Sequence, residues 1–525
     1  MSVQFITASH AATLIQDHAT VAIDGFIGFA LAEDILGEIE DRFIKEGHPR
    51  DISVVNVAGL GGDGKGRGIN HFAHKGLMRR FLCSNLSLAH KMYPMIMGNA
   101  FPTFMIPQGV LSSMMRQIAA RNPGVISKVG MKTFVDPRID GGRINDAAKE
   151  AKDDHVVELI SIKGEEYLFY PAFDIQVALI KGTYADEDGN ISTEKEAVQL
   201  EQLEMAAAAK NSGGIVMVQV DEVVPGGSIH PAKITVPANF IDYVIEGRPE
   251  NTGQHFIGDG KPVPSWCGDE RVDLGEFKPM PLEIPKIICR RACLEISNGD
   301  FINLGIGIPT GISDVLNEED KIADISLSIE SGITGGVPAS GLATGAAYNP
   351  VAIMKQPDIF DIYDGGGIDF TGVGAAEIDR SGNVNVSKFS GKVTGPGGFI
   401  NITQGAKTLC FMGTFTAGGL ETEIRYGRLH ILREGKYVKF KNQVEHITFS
   451  GEHSLEQGRQ TVYYITERAV FKLVDSGLML IEVAPGIRLE KDILAHMEFD
   501  PVISPDLREM DKRLFMPEKL ELKLK

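Results

Sequence analysis

Short apolar runs alternate along this chain with segments in which apolar positions recur every three or four residues, the periods of buried strands and amphipathic helices. Near the start, Ser9-His-Ala-Ala-Thr-Leu-Ile predicts a helix and Thr20-Val-Ala-Ile23 a strand, with a glycine closing the unit at Gly25. The same order returns between Lys286 and Gly307: a helix-like IICRRACLEI, a turn at Asn298-Gly299-Asp300, the strand FINLG and a glycine-rich turn.

A closer internal echo links Asp186-Glu-Asp-Gly189-Asn190-Ile191 with Asp379-Arg-Ser-Gly382-Asn383-Val384, 193 residues further on. At the same offset the apolar run Ile215–Val220 falls on Thr408–Gly413. Strands alternating with helices on both sides of this register predict an α/β fold of two similarly folded domains with largely parallel sheets, joined by an internal pseudo-repeat. Residues 247–281 are rich in Gly, Pro and charge and carry no apolar period, so they read as the interdomain linker, with domains at 1–246 and 282–525. In such folds ligands sit beyond the carboxyl ends of the strands.

Composition narrows the function. At 525 residues the chain exceeds what one core supports, and its 59 glycines point to tight turns and close backbone approaches. A formal net charge of −18 opposes nonspecific attraction to nucleic acid or anionic lipid. Five scattered cysteines (Cys83, Cys267, Cys289, Cys293, Cys410) fit a reducing compartment better than a disulfide framework. No apolar run reaches the roughly 18 residues of a membrane span, and the N-terminal residues lack the basic and apolar regions of a signal peptide. The expectation is a cytoplasmic protein without nucleic-acid or membrane partners.

The apolar run before Glu330 ends on that carboxylate and passes into the glycine-rich Ser331–Gly341. The plainer reading is an acid at an ordinary strand end. Asp364 has the same grammar, since Ile359-Phe-Asp-Ile-Tyr runs into Gly365-Gly366-Gly367, and sequence position does not choose between the two. Glu377 and Glu421 are further acids near turns. The loop Gly395-Pro-Gly397-Gly398-Phe399 offers backbone N–H groups free of side-chain obstruction, suited to an oxyanion or to a simple tight turn.

Other motifs fall short. Gly59-x4-Gly64-Lys65 is followed by Gly66 rather than the Ser or Thr of a P-loop, and Gly305-x-Gly307-x-x-Thr310 lacks the third small residue of a dinucleotide turn. Cys289 with Cys293, and His71 with His74, have no companion pair, so no metal site is expected. Ser331 lies outside any G-x-S-x-G elbow.

Taken together, GRGINHFAHKGLMRRF (66–81), PQGVL (107–111), TFVDPR (133–138), NLGIGIP (303–309), ESGITGGVPASG (330–341), YDGGGIDF (363–370), GPGGFINIT (395–403), GTFTAGGLE (413–421), YITERAVF (464–471) and IEVAPGI (481–487) resemble the family I CoA-transferases, in particular the propionate and acetate CoA-transferase branch. The resemblance spans nearly the whole chain. It implies two fused α/β domains, a catalytic glutamate at Glu330, backbone N–H donors at Gly397 and Gly398, and a glutamine at the acyl site at Gln108. It thereby favours Glu330 over Asp364. It further implies acyl-CoA and short-chain carboxylate substrates such as acetate and propionate, coenzyme A as substrate with no permanently bound cofactor, and a homo-oligomer, often a tetramer. Ile329 before Glu330 and Thr310-Gly311 after NLGIGIP depart from the family wording and leave acyl-chain preference open. An acyl-CoA hydrolase, a metabolite-binding regulatory protein and a dinucleotide dehydrogenase are the alternatives. The CoA adenine and phosphate contacts are not readable from the sequence.

Overall fold

The computed structural model describes residues 3–62, 64–254, 262–273, 279–389 and 391–525. They form two compact units, the first comprising Met1–Val272, Ile329–Asp361 and Val393–Asn401, the second Asp273–Ser328, Ile362–Lys392 and Ile402–Lys525.

In the first unit β1 (Gln4–Phe5), β2 (Thr20–Ile23), β3 (Ile52–Asn56), β4 (Met78–Cys83), β5 (Thr103–Met105), β6 (Val177–Asp186), β7 (Ile215–Val224) and β8 (Tyr243–Glu246) make a sheet in the order β1-β8-β7-β6-β2-β3-β4-β5. Every one of these pairings is parallel. Its central strands carry the apolar runs that a sheet covered on both faces requires, with Val21, Ala22 and Ile23 fully buried and Val216, Met217 and Val218 likewise, although Lys181 and Gln219 are buried among them. The chain steps outward from β2 to β5 and then crosses back to β6, which makes the carboxyl ends of β2 and β6 the topological switch point. Helices cover the sheet, among them α1 (Ala8–Leu14), capped by the Thr7 side chain accepting from His10 N, and α2 (Glu33–Glu46), acidic in its first turn and closed by Gly47. α3 (Gln108–Ala119) and α4 (Gln202–Asn211) follow later in the chain.

The second unit holds β9 (Phe301–Leu304), β10 (Ser326–Ser328), β11 (Ile368–Gly374), β12 (Ala406–Met412), β13 (Thr461–Ile465), β14 (Ala469–Val474), β15 (Gly477–Val483) and β16 (Val502–Glu509), in the order β10-β9-β11-β12-β13-β14-β15-β16. β10 through β13 pair in parallel, and β13-β14-β15 form an antiparallel meander. α5 (Ile284–Cys293) packs its apolar stripe into this unit's core. The two echoing turns are alike in detail. Asp186 Oδ1 accepts from Asp188 N and Asn190 N, and Asp379 Oδ1 accepts from Ser381 N and Asn383 N.

The compact units are not the continuous halves 1–246 and 282–525 expected from the sequence. Two stretches of the later half, one carrying Glu330 and the other Gly397 and Gly398, pack with the first unit. The cause is apolar: Ile333, Ala339, Ala346 and Ala347 share a buried cluster with Phe26, Phe29, Ala30 and Trp266, and Val393 and Ile400 join the core around β2 to β7. Of the expected linker, residues 255–261 and 274–278 lie outside the described residues.

Candidate active site

Glu330 stands at the tip of a tight hairpin. Ile329 N donates to Ile333 O at 2.8 Å and Gly332 N donates to Ile329 O at 3.0 Å, which places Glu330 and Ser331 at the two central positions of a turn. Gly332 adopts φ +101°, a conformation that costs a side-chain-bearing residue dearly. Ser331 is fully buried, and its hydroxyl donates to Gly345 O at 2.5 Å. The glycine-rich wording after Glu330 therefore builds the turn that holds the carboxylate outward.

Gly398 faces that carboxylate. A Cβ there would lie 2.8 Å from Glu330 Oε2, 3.1 Å from its Cδ and 3.3 Å from Phe360 Cζ, so only hydrogen fits. The loop is pinned from both sides: Gly397 N donates to Ser84 O at 2.9 Å, Gln108 N to Gly397 O at 3.0 Å, and Gly109 N to Asn401 Oδ1 at 3.1 Å. The Gly397 N–H is thus spent within the protein. The Gly398 N–H has no partner among the described residues and is the unspent donor beside Glu330. Gln108, the first residue of α3 and only 2% exposed, brings its Oε1 to 3.6 Å from where a Gly397 Cβ would stand. Asn85 Nδ2 lies 3.8 Å from the same point, its amide turned that way because Oδ1 accepts from Ser87 N and Oγ.

Desolvation pushes the Glu330 carboxyl up to about 7, and among the described residues no charge offsets it. The residue as a whole keeps a little solvent contact. A carboxylate that is poorly hydrated and not ion-paired is a better nucleophile than one in water, and perturbation of this kind marks functional sites.

Four residues converge from separated parts of the sequence: Glu330, Gly397, Gly398 and Gln108. Asp364 does not join them. Its run is no strand but the end of the helix α6 (Gln356–Asp364), whose buried positions, Gln356, Ile359, Phe360 and Tyr363 among them, follow a helical period and leave Asp364 exposed. Glu377 accepts from Asn385 Nδ2 and Glu445 N, and Glu421 pairs with Arg433 at 2.5 Å. After β3 the glycines lead to a short 3-10 turn, Gly68–Phe72, rather than to the long helix a P-loop feeds. His71 is held between Glu33 and Glu40, which, against the cost of burial, push its imidazole up to about 9. Cys289 and Cys293 are buried thiols, and Cys289 Sγ donates to Ile308 O. Phe360, Asn401, Asn85, Gln356 and Glu201 belong to this region too. No local pattern announces them, because each reaches the site only through tertiary packing.

A desolvated glutamate set against a glycine with an unspent N–H, on a doubly wound α/β unit, supplies the parts of a covalent acyl-transfer centre. Residues 5–247 match the family described as Coenzyme A transferase. The chain is 41% identical over 98% of its length to caffeate CoA-transferase of Acetobacterium woodii, covering 97% of that protein. It is 40% identical to acetate CoA-transferase YdiF of Escherichia coli O157:H7, over 98% of this chain and 95% of that one. A crystal structure of the latter's acyl-CoA transferase in a thioester complex with CoA superimposes with a TM-score of 0.92 at 38% identity, covering 100% of this chain and 98% of that chain. The chain belongs to the coenzyme A transferase family, and its activity is that of a CoA-transferase.

Among the described residues no helix is long and apolar enough to cross a membrane.

Proposed function

We propose that this enzyme moves CoA between short-chain acyl-CoA thioesters and free carboxylates, acetate and propionate among them, by a ping-pong mechanism with Glu330 as covalent nucleophile. The observation that carries the reading is the desolvated Glu330 carboxylate set directly against Gly398, where the absence of a side chain lets a backbone with an unspent N–H approach the nucleophile.

A Glu330 oxygen attacks the thioester carbonyl, and the C–S bond breaks to release CoA thiolate and leave an acyl-glutamyl anhydride. The thiolate attacks the glutamyl carbonyl, expelling the free carboxylate and forming a glutamyl-CoA thioester. An incoming carboxylate reverses both steps. Every bond made replaces one broken, so the cycle needs no oxidant, reductant or net proton. The Gly398 N–H serves as an oxyanion donor, and Gln108 lines the acyl site. Gly397 contributes its carbonyl and its freedom of conformation rather than its N–H.

The thioester complex of the similar bacterial enzyme supports the second intermediate. The names of the relatives, one for an aromatic acid and one for acetate, support a free carboxylate as acceptor. Five free thiols support the reducing, cytoplasmic compartment expected from the sequence, and a homo-oligomer remains part of the proposal.

The test is to incubate the protein with acetyl-CoA and no acceptor, trap with borohydride or hydroxylamine, and map the modified peptide. The label should fall on Glu330. Label on another residue, or initial-velocity patterns that demand a ternary complex, would sink the mechanism; acetyl-CoA hydrolysis without transfer to any acid would point to the hydrolase.

A further inference from the structure

Behind Gln108 runs a chain of polar side chains shut away from solvent. Gln356, Glu201 and Ser112 are 0% exposed. With its amide N–H2 toward Glu201, Gln356 donates to the two carboxyl oxygens at 3.1 and 3.3 Å, and its carbonyl accepts from Gln108 Nε2 at 3.0 Å. Gln108 then shows its carbonyl oxygen to the Gly397 side. Turned the other way, the Gln356 amide would instead set its N–H2 3.4 Å from the backbone carbonyl of Glu330 itself. Its oxygen then lies against Glu201, and two acceptors facing each other in a dry interior are held together only by a proton on one of them. Gln108 must turn as well, accepting from Gln356 and pointing its N–H2 at the site. Each amide passes on the polarity it receives.

We propose that Glu201 is a positioning residue for the transfer reaction: one proton gained or lost on its carboxyl reverses the Gln356–Gln108 amide relay and decides whether the acyl site meets an N–H donor or a carbonyl oxygen. The proposal rests on the reading of Gln108 as an acyl-site residue. Protonated Glu201 corresponds to the state that binds a carboxylate substrate, because an N–H attracts the anion and a carbonyl repels it. The same state ties Gln356 to Glu330.

The surroundings suit a group that holds its proton. Asp24, at the carboxyl end of β2 and so at the topological switch point, faces Glu201, and its Oδ2 has no hydrogen-bond partner among the described residues. Glu204, on α4, also faces it, with Lys355 Nζ at 3.2 Å and Arg116 Nε at 3.9 Å drawn to Glu204 rather than to Glu201. Ser112 bonds Glu201 directly. Burial first, and then the charge on Asp24, whose own carboxyl burial pushes up to about 7, hold the Glu201 carboxyl well above the usual carboxylate range.

The experiment follows the KM for acetate, the KM for propionyl-CoA and kcat against pH in the wild type, in Glu201→Gln, whose amide does not titrate, and in Gln356→Met, which cuts the relay but leaves Glu201 in place. In the wild type the acetate KM should rise about tenfold toward alkaline pH, the worth of one hydrogen bond to a charged group, while the propionyl-CoA KM stays flat. Both variants should lose that rise and keep the pH dependence of kcat set by Glu330. Infrared difference spectra should show a protonated-carboxyl C=O band in the wild type that Glu201→Gln removes. Either variant retaining the wild-type rise in acetate KM, both Michaelis constants shifting together, or an unchanged infrared band would overturn the proposal; Gln356→Met and the KM split decide it even if Glu201→Gln folds poorly. Failure of the underlying reaction reads differently, as CoA transfer by Glu330→Gln or as an acetate KM indifferent to Gln108→Leu.

Discussion

Gly398 and Glu330 are in contact across a gap that admits hydrogen and nothing larger: a methyl group on Gly398 would stand 2.8 Å from Glu330 Oε2. That single spacing ties the loop to the nucleophile and separates two neighbouring glycines that look interchangeable in the sequence.

Gly398→Ala should cut kcat by on the order of a hundredfold, as expected when an oxyanion donor or the nucleophile it faces is displaced. Gly397→Ala should be milder in its effect on turnover. Its Cβ would meet nothing closer than 3.6 Å, although φ of +51° costs an alanine about 1 kcal/mol in stability. Steady-state kinetics with thermal melts on both variants check the contrast, and equal losses of kcat would contradict it.

Turnover should depend on Glu330 being ionised. With its carboxyl pushed up to about 7, kcat should rise with pH through neutrality and level off above it. A pH–rate profile already flat between pH 5 and 8 would mean that substrate binding or another group sets the ionisation.

Stability should run the opposite way. The folded protein keeps the Glu330 proton up to about 7, whereas the unfolded chain releases it near the ordinary value of 4.5, so this group's contribution is present at acid pH and is lost as pH rises through that window. Glu330→Gln should therefore abolish transfer yet unfold later than wild type at pH 8, by on the order of 1–3 kcal/mol, with the gap closing near pH 4. Denaturant melts at the two pH values are the measurement. A Glu330→Gln protein less stable than wild type at both would show the residue to be structural.

Trp266 should matter more than its distance in sequence from Glu330 suggests. It meets Phe29 edge-on at 5.7 Å and Tyr348 at 5.9 Å, in the cluster that buries Ile333, Ala346 and Ala347. Trp266→Ala should cost about 3–5 kcal/mol and lower kcat by loosening the turn that presents Glu330. A stability loss with unchanged kcat would uncouple the cluster from the turn.

Locally Glu330 and Asp364 read alike, each an apolar run meeting a carboxylate before glycines, and only the family resemblance sets Glu330 first. The strands around Glu330 were plain, as were the twin Asp-x-x-Gly-Asn turns. Asp364 misled because a glycine triplet follows it, although the spacing of Gln356, Ile359, Phe360 and Tyr363 carries a helical period. The spent N–H of Gly397 was invisible, since its acceptor is the carbonyl of Ser84. So was the relay through Gln356 and Glu201, because a buried polar residue has no signature until its partners are in place.

The return of 329–361 and 393–401 to the first unit gives the polypeptide link a chemical meaning. A cut within 247–281 would leave the nucleophile and its glycine loop on one fragment, and Ser84, Gln108 and Glu201 on the other. Each piece would carry half an active centre, so that catalysis would require the fragments to find each other, and the intact chain makes that encounter intramolecular.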